Sequence, residues 1–327
     1  YSGFMTPFVW MFIKSYEKLR EYIIDNKSIG TLVQMEYSAF EEATVPICSF
    51  VFKNGSENNK GLYFRLSEFT GGMEVQKEKV LEAIENPDCG YFYETSIENF
   101  KKIPGMPIAY WLSDNSFNQF NLNKSFEHYA TTRAGMITGN NNMFIRLWYE
   151  VSFTKVGIGY KSRDDASESK RKWFPYNKGG YFRKWFGNNE YVVNWENDGK
   201  LMRNFKNKAG KIPAHAFNLQ YIFKENVTWN SLSSYKFAAR YTDFGFLYDA
   251  SGSFADVRTN NLLYTIGFLC TNVAFYYLST INPTLNFQKG NVAILPFNLD
   301  KEKKKSVEIL VTENIKISKL DWDMHET

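Results

Sequence analysis

The stretch VWMFIKSYEKLREYIIDNKSIGTLVQMEYSAFEEATVPICSFVF, Val9 to Phe52, decides how the fold is read. Phe12, Tyr16, Leu19 and Ile23 recur at helical spacing while Lys14, Glu17, Lys18 and Glu21 fall elsewhere, so one apolar face lies along a helix from Val9 to Asn26. Ile29 to Met35 and Val45 to Phe52 are rich in β-branched and aromatic residues and read as two strands. Ahead of the helix, Phe4 to Pro7 reads as the end of a buried strand. Helix, strand, loop, strand is a common ending of α/β sheets whose last two strands pair antiparallel, and periodicity alone does not say which sheet.

Working outward, 327 residues are enough to bury a large core and favour two domains. Gly55 to Lys60 is a polar loop, and Lys77 to Glu85 is a helix that stops before Pro87. Two prolines make Ile103 to Ser113 extended or turning. Gly139 with Asn140, Asn141 and Asn142 makes a turn, flanked by Ile137 and the strand-like MFIRLWYEV. Arg163 to Arg171 is polar and without apolar spacing, which predicts a mobile surface loop. Ser231 to Asp256 carries short strands divided by Gly245 and Gly252. Leu262 to Ile281 is 20 residues without a charge, the length that spans a bilayer. Thr265, Asn272, Tyr276 and Ser279 mark one side of it, so the reading adopted is a packed helix ended by Pro283, with no membrane partner.

Charge is not spread evenly. The net +4 of the chain hides a block from Lys155 to Lys211 with 14 Lys and Arg against 6 Asp and Glu, a local +8 between acidic and neutral flanks. Its centre, KRKWFPYNKGGYFRKWFGNNEYVVNW from Lys170 to Trp195, alternates cations with rings. Lys and Arg hold phosphates whatever the base sequence, and flat rings stack on bases or wedge between them. The plainer reading stays open beside it: a solvated charged face, with the rings in the core. Gly179-Gly180 allows a sharp turn, which suggests a hairpin or loop tip carrying Trp173, Tyr176, Tyr181 and Trp185.

Catalytic constellations are mainly absent. Cys48, Cys89 and Cys270 form no disulfide framework and no CxxC pair, which points to a reducing, cytoplasmic setting. His128, His215 and His325 are scattered, so neither structural nor catalytic metal is expected. There is no P-loop, nucleophile elbow or GxGxxG, and Gly157-Ile-Gly159 lacks the third glycine and the helix that should follow. Adjacent acids such as Glu41-Glu42 and Asp164-Asp165 read as solubilising. No residue is expected to be catalytic or to bind a cofactor.

Six blocks carry a resemblance: GFMTPFVWMFIKSYEKLREYII, LVQMEYSAFEEATVPICSFVF, IPGMPIAYWLS, TTRAGMITGNNNMFIRLWYEV, KWFPYNKGGYFRKWFGNNEYVVNWENDG and INPTLNFQKGNVAILPF. Together, and in order over nearly the whole chain, they resemble the adenine-specific DNA methyltransferases of bacterial phage-exclusion (BREX) systems, the PglX family. Restriction-modification enzymes that fuse methyltransferase and recognition domain share the TGNNNMFIR-like turn and the NPTLNFQKGNVAILP-like ending more loosely.

The resemblance implies an α/β part followed by an α+β part. Residues 1–130 would be the C-terminal part of a Rossmann-like methyltransferase sheet, and residues 131–327 a mixed DNA target-recognition domain. It implies S-adenosylmethionine as cofactor of the intact parent, double-stranded DNA as partner and other phage-defence proteins as further partners. The family's cofactor loop and Asn-Pro-Pro-Tyr motif lie upstream of such a start; Asn86-Pro87-Asp88 and Asn282-Pro283-Thr284 do not qualify, so the chain alone is expected to be inactive. Asn140, Asn141, Asn142, Lys170, Arg171, Lys172, Trp173, Tyr176, Lys178, Tyr181, Arg183, Lys184 and Trp185 are the candidate DNA contacts. The alternative is a non-enzymatic specificity subunit or partner-binding module, and fold does not separate the two.

Overall fold

The computed structural model describes residues 1–37, 39–40, 45–55, 60–233, 235–258, 260–284 and 286–326. The expected loop at Gly55 to Lys60 falls largely outside them, as do Glu41 and Glu42. The chain divides into two compact units, Tyr1–Asn123 with Thr280–Pro283, and Lys124–Ser279 with Thr284–Thr327.

In the first unit the elements run β1 (Ser2–Pro7), α1 (Glu17–Asn26), β2 (Lys27–Gln34), β3 (Ile47–Asn54), β4 (Lys60–Arg65), α2 (Gly72–Glu85), β5 (Phe92–Ser96) and α3 (Asp114–Leu122). One sheet has the order β1-β3-β2-β4-β5. β3 lies antiparallel to both β1 and β2, so the two strands read from the sequence do pair antiparallel. They do not end the sheet, because β4 adds parallel to β2 and β5 antiparallel to β4. β1 is an exposed edge strand rather than a buried one, with Phe4 and Met5 about half exposed. Only the second half of Val9–Asn26 is α-helical; Phe8–Met11 and Lys14–Tyr16 are 3₁₀ turns. The reason is Arg20, buried on α1, whose guanidinium takes the Trp10 and Ile13 carbonyls at 2.8 Å each and Gly105 at 2.7 Å, bonds a continuous helix would need for itself. In the core, the Tyr63 and Tyr110 rings stack at 4.8 Å and the Tyr110 hydroxyl donates to Gln34 at 2.8 Å.

The second unit contains β6 (Lys124–Ser125), β7 (Ala130–Arg133), α4 (Asn141–Phe144), β8 (Ile145–Leu147), α5 (Arg163–Glu168), β9 (Trp173–Asn177), β10 (Tyr191–Asn194) and α6 (Glu196–Asn204). There follow β11 (Asn226–Asn230), β12 (Ala239–Thr242), β13 (Leu247–Tyr248), β14 (Gly252–Val257), α7 (Leu262–Leu269), α8 (Asn272–Ile281), α9 (Lys289–Ala293), β15 (Pro296–Phe297) and α10 (Lys304–Glu326). Two four-stranded sheets, β13-β9-β10-β8 and β12-β11-β14-β7, carry most of it, and β15 pairs with β6. Phe144, Phe174, Tyr176, Trp195, Phe223 and Tyr248 belong to one buried cluster.

Two expectations are corrected here. Arg163 to Arg171 is not loop throughout: the Ser162 hydroxyl caps α5 by accepting from the Asp165 amide, and Arg163 pairs with Asp198. Leu262 to Ile281 is two helices bent by 68°, because the Thr271 hydroxyl donates to the Phe268 carbonyl (2.7 Å) and accepts from the Ala274 amide (3.1 Å), closing one helix and capping the next. Thr265 is buried, while Asn272 and Tyr276 face solvent, so the polar stripe is not one side of a single helix. Among the described residues, no single helix is long and apolar enough to cross a membrane.

Candidate nucleic-acid interface

The basic, ring-rich stretch does fold as a hairpin. β9 and β10 pair antiparallel, Trp173 opposite Asn194 and Tyr176 opposite Tyr191, joined by the long loop Lys178 to Glu190. Gly179 (φ 84°) and Gly180 (φ 146°) open that loop, and a Cβ at Gly180 would lie 2.9 Å from Asn188 Nδ2, so the turn needs glycine.

Its rings go to different places. Trp173 and Tyr176 are buried in the strand, not displayed at a tip. The Tyr176 hydroxyl donates to Asp249 Oδ2 at 2.8 Å, and burial, then the Asp249 charge, hold its pKa well above the ordinary phenol value. Neither ring offers a face to a ligand in this arrangement. Trp185 is half-buried at a left-handed backbone position (φ 73°), its amide donating to Ala239 (2.9 Å) and its carbonyl accepting from Tyr241 (2.8 Å). Tyr181 is the opposite case, 89% exposed.

The cations separate in the same way, because a strand stands between them. Lys170, Arg171 and Lys172 lie at the Trp173 end of the hairpin; Lys178, Arg183 and Lys184 lie at the other, across five residues of β9 or about 16 Å. Asn140, Asn141 and Asn142 join the first group, since β8 runs antiparallel to β10 with Ile145 opposite Val193. Asn140 caps α4 by accepting from the Met143 amide, Asn141 accepts from Thr138, and the Asn142 carbonyl accepts from Arg146, so the asparagines shape a turn as well as facing outward. Arg146, which the sequence reading passed over as part of a strand, also reaches over Trp173 at 5.9 Å.

Availability differs between the two ends. Among the described residues, no carboxylate lies within 4.0 Å of Lys170, Arg171 or Lys172, and Lys170 is exposed. Arg183 is committed to α10: it pairs with Asp321 at 2.8 Å and lies over the Trp322 ring at 4.9 Å. Lys184 donates to the Cys270 carbonyl at 2.8 Å, and Lys178 sits over the Tyr191 ring at 4.9 Å. Beneath the second end lie residues that no spacing in the sequence connects. Asn230 donates to the Gly180 carbonyl (2.6 Å), Asn188 to the Tyr181 carbonyl (2.8 Å), and fully buried Arg240 to Asn230 Oδ1 (2.7 Å). Burial pushes the Arg240 pKa down to about 10, so holding that cation there is costly.

Comparison with known proteins finds two relatives along almost the whole chain. The adenine-specific methyltransferase PglX of Lacticaseibacillus casei (strain Zhang) is 38% identical over 330 residues, 98% of this chain and 27% of that protein. The adenine-specific methyltransferase BrxX of Escherichia coli O9:H4 (strain HS) is 36% identical over 97% of this chain and 25% of that protein. The chain thus spans about a quarter of the length of these relatives. Among solved structures, the type IIL restriction-modification enzyme MmeI in complex with DNA shares the fold, with a TM-score of 0.56 at 8% identity over 95% of this chain and 41% of that one. No family model matches.

Proposed function

We propose, from the premise that the chain belongs with the PglX and BrxX adenine-specific methyltransferases as a segment of about a quarter of their length, that it supplies DNA target recognition to such an enzyme. The observation that carries this is the match over 98% of the chain. In this reading the first unit is the C-terminal part of the methyltransferase sheet and the second is the target-recognition domain. The strand order supports it: β1 and β2 run parallel, joined through α1, with β3 inserted antiparallel between them, and among the described residues the outer edge of β1 has no partner strand. Such an apolar, unpaired edge fits a sheet that continues into another part of the parent.

The intact parent would transfer a methyl group from S-adenosylmethionine to the exocyclic amine of an adenine taken out of the duplex, within a phage-defence or restriction-modification system. We read the chain as leaving that cofactor to the rest of the parent. The glycine pair at a strand-to-helix junction, Gly71-Gly72 before α2, is already taken by the Glu36 carboxylate, which accepts from the two amides at 3.1 and 2.7 Å. No step of the transfer is therefore given to these residues.

On DNA, the group formed by Lys170, Arg171, Lys172 and Arg146, with Asn140 to Asn142 beside it, takes the phosphates. The loop at the far end of the hairpin faces the bases. The separation of about 16 Å between them is close to half a turn of B-DNA, roughly 17 Å, so one duplex can meet both. Calorimetry with S-adenosylmethionine and with duplex DNA tests the reading: DNA binding without cofactor binding is expected, and tight stoichiometric cofactor binding would place the catalytic half in this chain.

A further inference from the structure

The loop between β9 and β10 spends three buried polar side chains on two carbonyls. Asn230, 8% exposed, holds the Gly180 carbonyl, and Asn188, 1% exposed, holds the Tyr181 carbonyl. Arg240, fully buried, donates its shortest hydrogen bond to Asn230, and its Nε finds no acceptor among the described residues. Burying a guanidinium with no carboxylate within 4.0 Å among the described residues costs several kcal/mol even with the Glu190 charge acting on it, a large cost for a loop that merely connects two strands. What this arrangement fixes is the backbone under Tyr181, whose own ring is 89% exposed. The backbone cannot relax toward a larger residue before it, since Gly180 sits at φ 146° against Asn188.

Beside Tyr181 the surface is aromatic as well. Phe182 meets the Tyr235 ring edge-on at 5.3 Å; Tyr235 is 59% exposed, and Lys236 lies 5.2 Å from its centroid. An exposed phenol ring held on a fixed backbone, followed along the chain by Phe182 with its Tyr235 partner and the Lys236 ammonium, has the make-up of a group that stacks on bases. Flat rings insert at base steps, cations take the flanking phosphates, and a rigid support means that little freedom is lost on binding.

Resting on the DNA-binding reading above, we propose that Tyr181, backed by Phe182 and Tyr235, is an aromatic wedge that stacks into a base step of bound duplex DNA. A wedge must unstack the step it enters, at a few kcal/mol, so it favours a step that is already loose.

The test is fluorescence anisotropy of the chain with a mixed-sequence duplex of about three helical turns, roughly 30 base pairs, and the same duplex with one central mismatch. The chain is expected to prefer the mismatched duplex by about tenfold, because the mismatch has already lost part of the stacking that the wedge must otherwise break. Tyr181→Ala should abolish that preference and leave the salt dependence unchanged, while Tyr181→Phe should keep it; the side chain is exposed, so neither change threatens folding. Equal affinity of the unaltered chain for both duplexes would overturn the wedge, and so would a preference that survives in Tyr181→Ala. Both of those outcomes leave the DNA-binding reading standing, whereas binding to neither duplex removes that reading and the wedge together.

Discussion

Changing Lys170, Arg171 and Lys172 together to alanine separates the two ends of the hairpin. These three cations have no carboxylate within 4.0 Å among the described residues, and the ring under Lys172 does not neutralise it, so their charge can be used on phosphate. Each phosphate contact contributes about 0.9 to the slope of log affinity against log salt, so three removed contacts flatten it by up to about 2.7. Across a fourfold rise in salt, that is a roughly 40-fold smaller loss of affinity than the unaltered chain shows. Stability should fall by about 0.5 to 1 kcal/mol, because half-buried Lys172 gives up its place 5.5 Å from the Trp173 ring centroid. The pair Arg183→Ala and Lys184→Ala should affect the slope far less. Arg183 is neutralised by Asp321 and stacked on Trp322, and Lys184 is bonded to the Cys270 carbonyl, so the slope flattens by less than about one. Stability falls by about 1 kcal/mol as the half-exposed ion pair and the ring contact are lost. Anisotropy titrations at several salt concentrations, with thermal melts of each variant, read both quantities. A double variant that flattens the slope more than the triple variant would refute this division of labour.

Tyr176→Phe should lower stability by about 1.5 to 3 kcal/mol, the worth of a buried hydrogen bond to a carboxylate, and leave DNA affinity alone; lost affinity with an unchanged melting temperature would return Tyr176 to the interface. Burial holds the Cys48 and Cys270 thiols up at about 11, so at pH 8 few are thiolates. Iodoacetamide on the native chain should therefore label half-buried Cys89 first, and mass spectrometry showing early modification of Cys270 would contradict its buried setting.

Local patterns of hydrophobicity and turn chemistry made part of this architecture legible. β2, β3, α2 and the β9–β10 hairpin follow from apolar runs, Gly179-Gly180 and a helix that stops before Pro87. Three of the failures share one cause, a polar side chain that redirects the backbone from a distance or against the local pattern. Arg20 takes carbonyls from the turns that precede α1, Thr271 breaks an apolar run into α7 and α8, and Arg163 reaches Asp198 to settle a segment that looks like loop. α10 went unread because the charged run at its start masks a helix that, among the described residues, buries only Val311 and Trp322. At the candidate site, composition found the cations and rings but not their partition. β9 is buried on both of its faces, so Trp173 and Tyr176, which point to opposite sides of the strand, are both inside, and the residues under the loop, Asn230 and Arg240, are separated from it by about 50 positions of sequence.

The central claim is that this chain chooses the adenine. It is tested most directly in the PglX relative of Lacticaseibacillus casei, by replacing the matching 330-residue segment with this chain and sequencing host DNA for methylated adenines. The expected result is an active chimaera whose methylated motif differs from that of the unaltered enzyme and changes again with Tyr181→Ala, while the Lys170–Lys172 triple change lowers the extent of methylation without altering the motif. An active chimaera that keeps the original motif, indifferent to both sets of substitutions, would contradict the claim and place target recognition in the part of the protein that this chain does not span.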